Sequence, residues 1–264
     1  MKLTTWNINS VRLRLPLLKN LIAVHNPDVI ALQEIKTADE FFPYEGVRAL
    51  GFPHIEVRGQ KGYHGVAILS KLPLTKPHRL SLLGHGDSRH ITATLPDGTE
   101  LHNFYVPAGG DIPDRVENPY FGFKLDYVDA MREWFAAQRT KKDKMILVGD
   151  LNVAPGEHDV WSHKQLLKIV SHTPEETSRL DQFQAGLDWL DAARHLAPAP
   201  EKLYTWWSYR NKDWRASNRG RRLDHIWLTQ PLAPRLKRLD TLTDARDWPQ
   251  GSDHVPVTVE LQSS

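Results

Sequence analysis

Cysteine is absent from this 264-residue chain, which excludes disulfide staples, thiolate nucleophiles and cysteine-held zinc or iron–sulfur centres. Redox chemistry therefore says nothing about the compartment. No segment approaches the roughly 18 to 20 apolar residues that a membrane helix needs. The amino-terminal MKLTTWNINSVRLR also lacks the apolar core of a signal peptide. A soluble cytoplasmic protein is the resulting expectation. Charge of one sign is missing too: 34 basic against 32 acidic side chains leave a formal net charge of +2, so no global argument for a polyanionic partner follows. Several catalytic signatures are absent. There is no GxxxxGK[ST], no HExxH and no GxSxG, and Gly84-His85-Gly86 lacks the third glycine and the helix of a dinucleotide fingerprint. No interdomain linker, repeat or low-complexity tract is found. The dense proline stretch at 197–200 is too short to separate folding units, and one domain over residues 1–264 is expected.

Against these absences stand five runs of apolar, mostly β-branched residues bounded by an acid, an amide or a histidine: Leu3 to Asn9, Val29 to Glu34, Met145 to Asn152, Arg222 to Leu228, and Ser252 to Val257. Such runs read as strands, and polar residues at strand ends are where rigid scaffolds place chemistry. An amphipathic stretch from Leu13 to His25 separates the first two. Further on, Val66 to Leu69, Arg89 to Leu95 and Leu101 to Val106 follow one another, with Pro96-Asp97-Gly98 as a hairpin signal, and are expected to pair antiparallel. Apolar residues at Leu125, Val128, Met131, Trp134 and Phe135 have helical spacing and predict a helix over 123–138. Residues 165–170 and 174–195 read as largely helical. Mixed strands with interspersed helices imply α/β layers with more than one sheet.

Each polar strand end has an ordinary explanation when taken alone. Asp150 and Asn152, after Gly149, suit a strand-to-turn junction; Glu34 suits a helix start; Asp253-His254 suits a solvated turn. Asp224 argues harder, because it interrupts the apolar run RRLDHIWL and a buried unpaired carboxylate is costly. It needs a histidine, an arginine or a metal beside it, while His225 is free to point to the opposite face. Five repeats of one pattern favour a shared site, and converging carboxylates suggest a cation. Oxygen ligands without cysteine or a close histidine pair favour magnesium or manganese over zinc. The turn at Ala108-Gly109-Gly110 suits either a phosphate or an ordinary flexible loop. Basic residues Arg210, Lys212, Arg215, Arg219, Arg221 and Arg222 interleave with Trp206, Trp207, Tyr209 and Trp214, which suits a polyanion with stackable faces. One of the adjacent Trp206 and Trp207 is expected to belong to the core.

The ordered set LTTWNINSVR, PDVIALQEIK, GYHGVAILSK, YVPAGG, ILVGDLNVAP, GRRLDHIWL and SDHVPV resembles the exonuclease III family of apurinic/apyrimidinic endonucleases, within the endonuclease/exonuclease/phosphatase superfamily. The resemblance runs from about Leu3 to Leu261. It implies a four-layered α/β sandwich: two packed mixed β-sheets flanked by helices, with a Mg2+ (or Mn2+) site at one end of the sheets. By position it implies Glu34 as the main metal ligand, with Asn9 and Asp253 close by. Asp150 would orient or deprotonate the attacking water, helped by Asn7 and Asn152. His254 would bind phosphate, held by Asp224, and Tyr105 would stand near the phosphate. Lys36, Arg89, Trp206, Arg221 and Arg222 would face DNA, though a solvated surface role suits Lys36 and Arg89 equally. Tyr105 stands where secreted deoxyribonucleases, sphingomyelinases and inositol phosphatases carry a second histidine, which favours the repair branch.

Two departures stand out. Ala108 replaces an Asn or Gln, and Arg221 replaces an apolar Trp or Leu beside the pocket for an abasic sugar, while Trp206 matches that pocket's aromatic. The implied activity is divalent-metal-dependent hydrolysis of the DNA backbone 5′ to abasic sites, with 3′ exonuclease and 3′-end-trimming action on double-stranded DNA, by a monomer without a membrane. RNA, lipid or inositol phosphoesters form the second reading, and a catalytically silent DNA-binding module the third.

Overall fold

In β1 (Lys2–Asn7) and β2 (Val29–Gln33) successive side chains leave on opposite faces, and both faces are buried. Leu3, Val29 and Ala31 point toward a second sheet. Trp6, Ile30 and Leu32 point the other way, against Leu17, Leu18 and Leu21 of α1 (Val11–His25). This double burial explains why these strands read as continuous apolar runs rather than alternating ones. The computed structural model describes residues 1–262. It has two six-stranded sheets. The first runs β11 (Leu236–Thr241), β12 (Val257–Leu261), β1, β2, β4 (Val66–Ser70), β3 (His54–Arg58). The second runs β5 (Thr75–His78), β6 (His90–Thr94), β7 (Glu100–Tyr105), β8 (Met145–Asp150), β10 (Asp224–Leu228), β9 (Leu190–Asp191).

Each sheet is antiparallel except for one central parallel pair, β1 with β2 and β7 with β8. Parallel neighbours need a crossover. α1 supplies it in the first sheet and α3 (Pro119–Gln138) in the second; the short α2 (Tyr44–Ala49) lies between β2 and β3. α3 opens on Asn118, whose side chain accepts from the Tyr120 N–H, with Pro119 in its first turn, a cap contributing about 1 kcal/mol. Its residues Val128, Met131 and Phe135 meet Phe183 of α5 (Pro174–Gly186) over Phe104, Leu147 and Trp227 of the second sheet. α4 (His163–Leu166), α6 (Ala192–Leu196) and α7 (Trp214–Ser217) are short connections. The layers are therefore helix, sheet, sheet, helix, as the resemblance implied. A polar link crosses the apolar interface between sheets: Gln33 Nε2 donates to Asn103 Oδ1 at 2.7 Å, and Asn103 Nδ2 donates to the Leu32 and Ala67 carbonyls.

Several boundaries differ from the sequence reading. β1 ends at Asn7, not Asn9, because Asn9 (φ 47°) and Ser10 (φ 85°) turn into the left-handed region. β10 begins at Asp224, two residues into the run from Arg222 to Leu228, and β12 at Val257, where the run from Ser252 to Val257 ends. α3 starts at Pro119 rather than 123. The helix expected over 174–195 stops at Gly186 and is followed by β9 and α6, and helix in the 165–170 region is confined to His163–Leu166. β4 does not pair with β6; the chain crosses between sheets after Ser70 and adds β5, which takes that place beside β6. Periodicity reports burial on one face and is blind to which sheet provides it.

Candidate active site

The carboxyl ends of the two parallel pairs open on the same edge of the sandwich, where ligands of α/β sheets gather. Asn7 ends β1, Glu34 follows β2, Tyr105 ends β7 and Asp150 ends β8. Opposite Asp150 in the antiparallel register stands Asp224, the first residue of β10. Asp150 needs Gly149 before it. Gly149 has φ 138°, and a Cβ there would overlap the Phe104 carbonyl oxygen of β7. Glu34 (φ 53°), Lys36 (φ 52°) and Asn152 (φ 52°) also hold left-handed backbone, a strained state that persists only where surrounding contacts over-determine it.

Asp150 is 1% exposed. Its Oδ1 accepts from the Asn152 backbone N–H at 2.9 Å, and its Oδ2 from Asn7 Nδ2 at 2.9 Å and Asn152 Nδ2 at 3.2 Å. Asn7 Nδ2 also reaches Glu34 Oε2 at 2.9 Å, tying the two sheets' acids together. Burial pushes the Asp150 carboxyl above the usual carboxylate range, and the nearby Asp224 adds to this. His254 and the amide donors only partly oppose it. His254 Nδ1 lies 2.8 Å from Asp224 Oδ2, which also accepts from Thr205 Oγ1 at 2.6 Å, and His254 Nε2 lies 3.6 Å from Asp150 Oδ2. Burial alone would lower the imidazole pKa, but the Asp224 and Asp150 carboxylates outweigh it and hold His254 raised, hence protonated at neutral pH. Burial beside Glu34 and Asp150 pushes the Tyr105 phenol up as well, so it stays a donor.

Two groups of ligand-type atoms are present. Asp150, Asp224 and His254 bring theirs within 4.8 Å of one another and could hold a metal ion. In that group, however, a protonated His254 already supplies the positive charge, and its Nδ1 is committed to Asp224. The second corner is made of oxygens. Glu34 Oε1 and Asn9 Oδ1 stand 2.9 and 2.8 Å from the Lys36 ammonium, so a cation is favoured there, and the donors are the hard oxygens that suit magnesium or manganese. Asp253 supports this corner rather than pointing freely into it. Its Oδ1 accepts from Asn9 Nδ2 at 3.1 Å and its Oδ2 from Trp206 Nε1 at 3.0 Å.

All nine expected catalytic and metal-site residues thus converge, and most line or border a cavity of about 990 Å³. The expected DNA-facing set divides. Trp206 and Arg221 line the cavity, whereas Trp207 is buried with Trp214 and Val255, so one of the tryptophan pair is indeed core. Lys36 turns inward onto Glu34. Arg89 is 7% exposed, pairs with Asp87 and lies 5.3 Å over the Tyr105 ring; it backs Tyr105 and lines a neighbouring pocket with His64. Arg222 is a correction. It is 1% exposed and its guanidinium is taken by Asp159 and Asp191, so it faces no partner. Of the basic run, Arg215 is likewise bound to Asp244 and Asp247, leaving Arg210, Arg219 and Arg221 on the cavity.

Supporting residues escaped the sequence reading. Ser252 donates to the Asn7 carbonyl. Lys124, wholly buried on α3, donates to the Ala108 and Asn152 carbonyls and to Glu176, holding the loop beneath the site. Only Glu176 carried a legible signal, the Thr173-to-Glu176 spacing of a capping box.

The chain matches the Endonuclease/Exonuclease/phosphatase family over residues 4–254, and it belongs to that family. Exodeoxyribonuclease III of Haemophilus influenzae is 33% identical, over 99% of this chain and 100% of that protein. DNA repair nuclease APEX1 of Danio rerio is 34% identical, over 99% of this chain and 82% of that one. Among solved structures, an AP endonuclease from Archaeoglobus fulgidus superposes with a TM-score of 0.92 at 27% identity, and the 3′ phosphatase NExo from Neisseria, bound to a product DNA hairpin, with 0.90 at 30%; each covers 100% of both chains. The exonuclease III branch of the family is the one these relatives define.

Proposed function

We propose that this chain is a divalent-metal-dependent DNA repair phosphodiesterase, cutting the backbone 5′ to abasic sites and trimming 3′ ends of duplex DNA, as a single-domain cytoplasmic monomer. Among the described residues no helix is long and apolar enough to cross a membrane. The observation that carries the proposal is the dry Asp150 carboxylate facing the Asp224–His254 pair beside an oxygen-lined corner. The names of the relatives agree with it: an exodeoxyribonuclease, a DNA repair nuclease and a 3′ phosphatase bound to DNA.

Hydrolysis forms a bond from water oxygen to phosphorus and breaks the P–O3′ bond. Asp150 takes the water proton, and its raised pKa makes it a stronger base than an ordinary carboxylate. Asn7 and Asn152 fix the orientation of that carboxylate through their N–H donors. Protonated His254, backed by Asp224, offers Nε2–H to a nonbridging phosphate oxygen, and the Tyr105 hydroxyl is a second donor. Glu34 and Asn9, steadied by Asp253, would hold Mg2+ or Mn2+. The ion would supply charge neutralisation at the phosphate and at the departing 3′ oxygen.

The test is incubation with a duplex carrying one abasic analogue, with and without chelator. Magnesium-dependent cleavage 5′ to the lesion, lost in Asp150→Asn, is expected. Cleavage indifferent to that substitution, or faster turnover of an inositol phosphate, would overturn the proposal.

A further inference from the structure

Three backbone segments lie side by side next to the reacting centre. Trp206 pairs through antiparallel bridges with Arg221 on one side and His254 on the other. Residues directly opposed in this way send their side chains to the same face, and all three line the cavity. With neighbouring strands about 4.8 Å apart, the Arg221 backbone stands about 10 Å from that of His254, a gap that an arginine side chain covers for most of its length.

The Arg221 guanidinium is layered on Trp206, 5.1 Å from the ring centroid. Nη1 donates to the Val170 carbonyl at 3.0 Å and to Ser171 Oγ at 2.9 Å. Nε is buried without a hydrogen-bond partner, and among the described residues no carboxylate lies at ion-pair distance, the Glu176 charge acting only from farther off. The contrast with adjacent Arg222, saturated by two aspartates, is one of function. A guanidinium anchored through Nη1, without an ion-pair partner and lining the cavity, suits an anion held in fixed orientation.

We propose that Arg221 sets substrate preference, favouring a 3′-terminal phosphate monoester over an internal diester whose abasic sugar must enter the cavity; this rests on the phosphodiesterase function proposed above. Charge supplies one reason. A terminal phosphate carries about −1.5 to −2 at pH 7, whereas an internal diester carries a single negative charge, so the guanidinium gains more from the former. Space supplies the other. The Trp206 face that would support a sugar is already covered by Arg221, and Arg219 covers Trp161 on the same cavity in the same manner, 4.7 Å from its ring. An extruded sugar would have to displace the guanidinium, while a terminal phosphate needs no such room. In the favoured reaction water adds to phosphorus, Asp150 takes its proton and the P–O3′ bond breaks. The 3′ oxygen, protonated from solvent, and inorganic phosphate are the products.

The test compares kcat/KM on two duplexes of one sequence, one with a 3′-phosphate at a nick and one with an internal abasic analogue, for wild type, Arg221→Leu and Arg221→Lys. The ratio of the two values cancels any loss of folded enzyme. Phosphatase over incision is expected to fall about 10-fold in Arg221→Leu. Arg221→Lys, which keeps the charge but not the fork, should lie between Leu and wild type. A ratio in Arg221→Leu within about threefold of wild type overturns the inference while leaving the phosphodiesterase function standing. A wild-type enzyme that cleaves neither duplex overturns both.

Discussion

The floor and the wall of the cavity are built on opposite plans. On the floor, Asp150, Asp224 and His254 are 1, 2 and 5% exposed, and most polar atoms have a protein partner; Asp224 Oδ1 has none, and His254 Nε2 stands 3.6 Å from Asp150 Oδ2. The wall consists of arginines layered on tryptophans, Arg221 on Trp206 and Arg219 on Trp161, neither at ion-pair distance from a carboxylate among the described residues. Dry, pre-oriented groups lower a barrier because they need no reorganisation during reaction. Part-exposed stacked groups can exchange one anion or ring for another. On the function proposed above, chemistry and selection are separated within one cavity of about 990 Å³.

The sharpest way to break this contrast is on the floor. Asp150→Asn should lower kcat by about 10³- to 10⁴-fold while duplex binding, measured by anisotropy, survives; a loss below tenfold would remove Asp150 from its role as base. Next in size is the buried pair behind the wall. Arg222→Met leaves Asp159 and Asp191 without their main cation and should cost about 3–5 kcal/mol in urea unfolding. An intact midpoint would mean that Arg222 belongs with the exposed wall arginines after all.

pH sharpens the comparison further. In the proposed mechanism Asp150 acts ionised, so activity should rise with pH through its raised pKa, and His254 acts protonated, so activity should fall as pH passes its own raised pKa. Asp224→Asn removes the largest charge that raises His254, and the alkaline limb of kcat/KM should move to lower pH. An unmoved limb would show that another group sets it. The smallest effect is expected on the wall. Arg219→Ala should raise KM more than it lowers kcat and reduce the slope of log affinity against log salt by about 1. A large fall in kcat instead would erase the distinction between wall and floor.

The two regions were not equally legible in the sequence. Asp150 sits at the end of an apolar run, and strand geometry carries such ends to a sheet edge whatever the rest of the chain does, so it stood out, as did Asp224, an acid interrupting such a run. Asn7, two residues short of the run's end at Asn9, came only with the family resemblance. The wall arginines lie in a basic run with no period, where Arg221 and Arg222 are indistinguishable by type. One faces the cavity and the other is buried because Asp159 and Asp191, 63 and 31 residues away in sequence, close on it. Lys124 carried no signal either, since a lysine on an amphipathic helix looks like a solvated face until the loop at Ala108 and the Asn152 turn are packed over it.

By itself the sequence determined the doubly buried strands, the long crossover helices, and the acids and amides at their ends, because these follow from local period and local backbone geometry. Only the tertiary structure decided which sheet each strand joined, which arginines were neutralised, and that Asp150 and His254 would both be raised in pKa for different reasons, Asp150 by burial and His254 by the carboxylates beside it. Those outcomes depend on desolvation and on charges brought within a few ångströms from distant parts of the chain, and neither quantity exists until the two sheets have closed.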